Sequence, residues 1–261
     1  MVIQSSYFKL PERTKGKYQH PDLHIAQSRQ YQGKTWFQTK DILTNNNQLF
    51  LPPYLFRESL SHLRSGKQVY NEHGKKLPKK TITQVLNEIY EQRDPWRAEW
   101  LNAQFTQEDN TFYITHLVFD TNGQPQEVTE QLDQETLMED KTPGISLEDW
   151  LKKATPQGLP KKKTKSGSLY YWSPGNGTVA RFRAYSDRVG LSCLRDPQDS
   201  ASRLGVRPVL LAEGKSKKIV EQIIPTQSTL DETIKQALEL GKPFEHNGIV
   251  YVPTKDVILK K

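Results

Sequence analysis

The segment VARFRAYSDRVGLSCLRDPQDSASRLGVRP, residues 179–208, alternates apolar and polar residues in two successive runs. Phe182 and Ala184 alternate with arginine and tyrosine, and Leu191 and Cys193 then alternate with serine and leucine. A period of two places every second side chain of a strand on the same face of a sheet. The segment therefore predicts two strands, with Phe182, Leu191 and Cys193 on a buried face and the arginines on the other.

The same segment contains six arginines and no lysine, although the chain has 37 basic residues and lysine is the commoner of the two types. Arginine carries a planar fork that stacks on rings and makes bidentate hydrogen bonds. Arginine and tyrosine separated by small polar residues are typical of recognition surfaces. The alternative is a set of structural ion pairs with Asp187, Asp196 and Asp199. Arg207, between Val206 and Pro208, is predicted to be structural.

The pattern over the whole chain predicts an α+β protein with mixed antiparallel strands and packed helices. Helices are predicted at 54–66, from Thr81 onward with a capping box to Gln84, at 145–154 with Ser146 as the cap, and at 228–241. Strands are predicted at 23–43, 111–120 and 169–211, and a short hairpin at 246–253.

Three parts of the chain are distinguished by composition. Residues 1–22 are polar and irregular and are predicted to form an N-terminal arm. Residues 23–212 contain most of the strand and helix signals and are predicted to form one ligand-binding domain. The charged run EGKSKK (213–218) then predicts a linker, so 213–261 is expected to be a small helix-and-hairpin appendage.

The composition limits the class of protein. The net charge of +7 and pI near 9.2 suit an acidic partner, although a basic surface also favours solubility alone. A single cysteine, Cys193, excludes an internal disulfide framework and is interpreted as a small core residue. The N-terminal residues are too polar for a signal peptide, and no segment approaches a membrane span. Synthesis in the cytoplasm is therefore expected, and display on a cell surface or virion stays open.

No motif indicates catalysis, a metal or a cofactor. His20 and His24 are separated by Pro21, which does not suit a helical metal pair. Calcium is not expected, because the acidic residues of 183–203 are irregularly spaced. The acidic run between Glu127 and Asp140 is interpreted as a solvated face. The sequence thus predicts no metal, no cofactor and no enzyme activity.

Several motifs together resemble a known family. LGVRPVL (204–210), following LYYW (169–172) and VARF (179–182), resembles the end of the C-type-lectin fold in the branch of formylglycine-generating-enzyme-like domains. PWRAEWL (95–101) and LMEDKTPGISLEDWL (137–151) are similar, more narrowly, to variable proteins diversified by retroelements. The resemblance extends over about residues 23–212. It implies a C-type-lectin-like fold and a recognition face whose codons are rewritten at adenines.

That mechanism, as the resemblance implies it, accounts for the choice of basic residue. Randomised Asn codons can give Arg, Ser, Tyr, Asp, Gly and Leu but not Lys, Glu, Gln, Met or Trp. Between Arg181 and Arg207 only Gln198 departs from this rule, and it would be a fixed position. The displayed residues would be Arg183, Tyr185, Arg188, Gly190, Ser192, Leu194, Arg195, Ser200, Ser202 and Arg203, with Trp172 beneath them as an aromatic floor.

Three functions follow as expectations. The first is a non-enzymatic binding protein that uses the displayed residues to recognise a macromolecule, a protein rather than a sugar. The second is a nucleic-acid-binding accessory subunit that combines the same arginines with the lysine-rich loops at 75–80, 161–165 and 215–218. The third, an oxidase of the formylglycine-generating type, would need a copper-binding cysteine pair that one cysteine cannot supply.

Overall fold

A computed structural model describes residues 6–212, 244–246 and 249–251 of the chain. The chain divides into two compact units, 1–212 and 213–261, and the predicted domain ends at the same position. In the second unit, strands β13 (Phe244–His246) and β14 (Ile249–Tyr251) pair antiparallel. The predicted linker at 213–218 and helix at 228–241 lie outside the described residues.

The first unit is α+β, as predicted. Its helices are α1 (Trp36–Asn45), α2 (Pro53–Arg64), α3 (Lys79–Tyr90) and α4 (Leu147–Lys153). Its strands are β1 (Tyr7–Leu10), β2 (Leu23–Ala26), β3 (Leu49–Phe50), β4 (Arg97–Glu108), β5 (Thr111–Phe119), β6 (Pro125–Gln131), β7 (Lys141–Ile145), β8 (Leu169–Trp172), β9 (Thr178–Ala184), β10 (Val189–Arg195), β11 (Leu204–Val206) and β12 (Pro208–Leu211).

These strands form two sheets. The smaller has the order β1-β2-β12-β3, so the beginning and the end of the unit lie side by side. The larger has the order β6-β5-β4-β9-β10-β8-β7, and β11 pairs with β4. Neighbouring strands are antiparallel except for β8 with β10 and β4 with β11, which are parallel. The predicted pair of strands in 179–195 is therefore present as β9 and β10 in the middle of the larger sheet.

The two faces of the larger sheet are covered differently. On one face, Phe182 of β9 packs against Phe56 of α2, with ring centroids 5.0 Å apart, and against Trp150 of α4 at 6.4 Å. On the opposite face, Trp36 of α1 and Trp100 of β4 form a second, smaller apolar cluster. The side chains of Arg183 and Trp172 on that face are only partly buried. This partly open region is the candidate site.

Three predictions about local structure are wrong. Residues 36–43, expected to be strand, belong to α1, because Thr35 and Gln38 make a reciprocal capping box and Trp36 and Leu43 are buried against the sheet. Residues 7–20, expected to belong to a polar arm, contribute β1 and the buried side chains Phe8, Leu10, Tyr18 and His20. The predicted cap of α3 is also wrong, since that helix begins after Pro78 without a side-chain cap, whereas Ser146 caps α4 as predicted.

Arg207 is structural, as predicted. Its side chain is 1% exposed, and Nε donates to Oε2 of Glu99 at 3.0 Å. Its Nη1 donates to the carbonyl oxygen of Ala26 at 2.8 Å. Glu99 is likewise buried. Arg207 therefore links β4, through this ion pair, to the end of β2, through its hydrogen bond to Ala26.

The acidic run from Glu127 onward is not entirely a solvated face. Glu130 of β6 accepts hydrogen bonds from the hydroxyl of Tyr18 and from Nε2 of Gln157 at 2.8 Å, and it pairs with Lys17 at 2.9 Å. Burial alone would raise the pKa of Glu130, but these groups and the nearby ring of His116 lower it well below its usual range. This carboxylate therefore ties the N-terminal residues to β6.

The lowered pKa of Glu130 predicts a contribution to stability that depends on pH. The folded state binds this proton less readily than the unfolded state, so the contribution is fully present above about pH 4.3 and declines as the pH falls below it. We expect Glu130→Gln to lower the free energy of unfolding at pH 7, and the difference from wild type to shrink toward pH 3. Urea unfolding at a series of pH values measures both. Glu127→Gln, on the exposed part of the same strand, is the control, and parallel curves for wild type and Glu130→Gln would contradict the assignment.

Candidate functional site

The candidate site lies where β8, β10 and β9 run side by side. The Cα positions of Tyr170, Gly190 and Arg183 are register partners across the three strands. Trp172, Ser192 and Arg181 form the next such row. Since side chains opposite one another in register share a face of the sheet, these two rows place aromatic and basic side chains together. We call this surface the Arg183 face.

Arg183 stacks on aromatic rings. Its guanidinium carbon lies 3.9 Å from the ring centroid of Trp172 and 4.9 Å from that of Tyr185. Its Nη1 donates to the hydroxyl of Tyr185 at 3.3 Å. Burial is the main reason why the pKa of Arg183 is lowered, and the neighbouring Arg188 adds to this effect. The guanidinium is thus held by the ring of Trp172 and by the hydroxyl of Tyr185.

Gly190 makes this stacking possible. A Cβ atom at this position would lie 2.6 Å from Cζ3 of Trp172 and 2.9 Å from the carbonyl oxygen of Tyr170. The indole of Trp172 therefore occupies space over β10 that any other residue at position 190 would fill. Gly190 acts as the floor on which the ring lies, rather than as a displayed residue.

Two further pairs extend the Arg183 face. Arg188 lies 5.5 Å from the ring centroid of Tyr170, and its Nη2 pairs with Asp187 at 2.6 Å. That hydrogen-bonded pairing raises the pKa of Arg188. Trp96, which precedes β4, packs against Tyr185 with ring centroids 5.5 Å apart. A small open pocket of about 280 Å³ is lined by Arg183, Tyr185, Ser186, Asp187 and Arg188.

At the edge of the Arg183 face, two arginines share one carboxylate. Asp199 accepts a hydrogen bond from Nη1 of Arg181 at 3.1 Å and another from Arg195. Arg181 is 3% exposed, and burial, followed by the charge of Arg195, lowers its pKa to about 10. Burial would raise the pKa of Asp199, but its arginine partners lower it. These two arginines therefore follow the ion-pair alternative noted from the sequence.

The structure brings some predicted residues together and separates others. Trp172, Arg183, Tyr185, Arg188 and Gly190 form one cluster. Leu194 is 47% exposed, and its Cδ1 lies beside Gly175. Ser200, Ser202 and Arg203 are exposed on the loop between β10 and β11, and within the described chain they make no hydrogen bond, ion pair or ring contact with the cluster.

The expectation that the displayed residues are freely exposed needs correction. Ser192 is only 3% exposed, because its strand neighbours Trp172 and Arg181 carry large side chains on the same face. Gly190 is buried under Trp172. Arg183, Tyr185, Arg188 and Arg195 are half-buried, since each stacks on a ring or pairs with a carboxylate.

Sequence reasoning missed three residues of this region. Tyr170 could have been found, because it lies two positions before Trp172 in the same strand and must share its face. Arg181 could have been found by the same alternation from Arg183. No local sequence pattern pointed to Trp96, because its contact with Tyr185 depends on the pairing of β4 with β9.

Burial raises the pKa of the Cys193 thiol well above its usual range. No group of three or more His, Cys, Asp or Glu side chains among the described residues is arranged to hold a metal ion. The helices that the structure describes include none that is long and apolar enough to cross a membrane.

Comparisons with protein-family models, with curated proteins and with solved structures gave no match.

Proposed function

We propose that this chain is a binding protein that recognises a protein ligand through the Arg183 face and does not act as an enzyme. One observation carries the proposal: the guanidinium of Arg183 is stacked 3.9 Å from the ring of Trp172 and has no carboxylate partner among the described residues. Rigid aromatic rings and a pre-oriented guanidinium lose little conformational entropy on binding. Arg and aromatic residues of this kind carry most of the binding energy in protein interfaces.

The scaffold is proposed to be C-type-lectin-like. The antiparallel pairing of β2 with β12, which joins the two ends of the unit, supports this assignment, as do the helices α1 and α2 that follow β2. On such a scaffold the larger sheet would present a variable surface, and rewriting the codons of its exposed residues would change the ligand without changing the fold. The buried ion pair of Arg207 belongs to the constant frame.

The chemistry of the Arg183 face supports binding rather than proton transfer. Its charged groups are arginines, together with aspartates that are each held by an arginine. The buried thiol of Cys193, with its raised pKa, is poorly suited to act as a nucleophile. The arginines and aspartates of the face keep their charges across the physiological pH range, which suits recognition of a fixed partner.

The proposal is tested by selecting binders from a library of displayed random peptides with the full-length chain as the target. We expect selected peptides to bind at least about tenfold more weakly to Trp172→Ala, because that change removes the ring under Arg183. Lys162→Ala, in an exposed loop, is the control and should bind like wild type. Unfolding curves establish that each variant is folded. Peptides that bind Trp172→Ala as well as wild type would contradict the proposal.

The same wild-type and variant proteins distinguish nucleic-acid binding from protein binding. Binding to phosphates weakens steeply with salt, with a slope of about −0.9 per contact on duplex DNA. If an oligonucleotide bound with such a slope and Lys162→Ala weakened it, the lysine-rich loops would be the site. We expect instead that peptide binding changes little with salt at concentrations where oligonucleotide binding is lost.

A further inference from the structure

The charges on and beside the Arg183 face do not balance. Four arginines (Arg181, Arg183, Arg188 and Arg195) accompany two aspartates, Asp187 and Asp199, which leaves an excess of two positive charges. Asp187 holds Arg188, and Asp199 is shared by Arg181 and Arg195. Arg183 makes no salt bridge within the described chain, although it is half-buried, and nearby Asp187 is already held by Arg188. A partly buried charge that is not fully compensated favours binding of an anion.

The part of the Arg183 guanidinium that can still bind a ligand is the edge that carries its N–H groups. The ring of Trp172 covers one face of the guanidinium, and Nη1 uses one hydrogen for the hydroxyl of Tyr185. Nη2 makes no hydrogen bond within the described residues and, with the second hydrogen of Nη1, is the donor left for a ligand, because Nε, which also has no acceptor, is buried. A guanidinium that stacks on a ring keeps its N–H groups in the plane, where a carboxylate can accept two of them. The geometry therefore leaves donors for an oxygen ligand.

The pocket next to this edge fits one carboxylate. It is a small, open depression of about 280 Å³ at the edge of the guanidinium, and its charge is the property that selects a ligand. The pair of Arg188 with Asp187 is neutral, so the lining carries one net positive charge, that of Arg183. A carboxylate of charge −1 neutralises it. A phosphate dianion would exceed this charge.

The rings favour a protein partner over a single-stranded nucleic acid. Non-specific binding of single strands needs ring faces on which bases can stack. Here the guanidinium of Arg183 lies over Trp172, that of Arg188 lies near the ring of Tyr170, and Tyr185 packs against Trp96. What these groups still offer a ligand is charged N–H donors rather than a stack of open rings.

We propose that the pocket beside Arg183 binds the side-chain carboxylate of an Asp or Glu in a protein partner, so that the Arg183 face selects acidic epitopes. This proposal rests on the proposed function and adds the chemical class of the partner. Because the pocket has one uncompensated charge, one acidic residue per epitope is the recognised unit.

The test uses peptides selected with the wild-type chain and resynthesised with an amidated C-terminus, so that any carboxylate is that of a side chain. We expect one Asp or Glu position to recur among them. Replacing that Glu with Gln in the peptide, or Arg183 with Gln in the protein, should each weaken binding at least about tenfold. When both changes are made, the loss should be no larger than with either alone, because both remove the same contact. Arg183→Lys, which keeps the charge but not the fork, should bind with intermediate strength.

The outcomes separate the two proposals. Peptides that lose binding to Trp172→Ala but carry no recurring acidic residue, or tolerate Arg183→Gln, would overturn the carboxylate site and leave the proposed function standing. Independent, additive losses from the peptide and protein changes would also overturn it. An oligothymidylate that binds wild type and not Arg183→Gln would assign the pocket to nucleic acid instead. Peptides that bind without depending on Trp172 would overturn the proposed function itself.

Discussion

Arg207→Ala is expected to lower the free energy of unfolding by about 3–5 kcal/mol, since it leaves the buried carboxylate of Glu99 without its counter-charge. The carbonyl oxygen of Ala26 loses a donor at the same time. Both groups are inside the unit, so water cannot replace the guanidinium without opening the structure around Arg207. Urea unfolding of the full-length chain measures the change.

Two further variants make this expectation specific. Arg203→Ala removes an exposed arginine four positions earlier, which makes no ion pair in the described chain, and should change stability by less than about 0.5 kcal/mol. Arg207→Met combined with Glu99→Leu removes both charges and should recover much of the loss, because no unpaired charge stays buried. If Arg207→Ala unfolded like wild type, the assignment of Arg207 to the structural frame would be wrong.

Gly190→Ala is expected to cost about 1–3 kcal/mol and to weaken binding of the selected peptides at least about tenfold. The new Cβ would lie 2.9 Å from the carbonyl oxygen of Tyr170, which is fixed in β8, and 2.6 Å from Cζ3 of Trp172, which can move. The indole is therefore expected to leave its place under Arg183. Tryptophan fluorescence, urea unfolding and peptide binding measure the three consequences.

Gly175→Ala is the matched control for this change. Its Cβ would also make a close contact, 2.5 Å, but with the terminal Cδ1 of the exposed Leu194, which can rotate away. We expect it to leave the tryptophan fluorescence and the stability close to wild type. Equal effects of the two substitutions, or unchanged peptide binding in Gly190→Ala, would show that the position of Trp172 does not depend on a glycine beneath it.

Alternation in the sequence was a reliable guide to the faces of β9 and β10. Phe182, Leu191 and Cys193 are buried in the main core, and Arg183 lies on the opposite face, because adjacent side chains of a strand must point in opposite directions. The same rule would have added Tyr170 and Arg181 to the candidate site. It did not predict how exposed that opposite face is, and Ser192 is buried there.

The strand prediction for residues 36–43 shows the limit of local pattern. Trp36 and Phe37 favour strand by their intrinsic preference, and the buried stripe of α1 has only three residues, Trp36, Thr39 and Leu43. The helix is stabilised by its capping box and by the hydrogen bond from the indole of Trp36 to the carbonyl of Leu101. Its partner is 65 residues away in sequence, so the pattern within the helix could not reveal it.

What the sequence determined by itself was the α+β class, the orientation of the side chains in β9 and β10, and the need of Arg207 for a buried partner. These follow from periodicity and from the cost of burying a charge, which are properties of a few neighbouring residues. The tertiary structure alone decided that Glu99 is that partner, that Glu130 ties down the N-terminal residues, and that Trp96 joins the Arg183 face. Each depends on which distant strand or loop lies alongside, since a strand's own sequence sets the direction of its side chains but not what covers them.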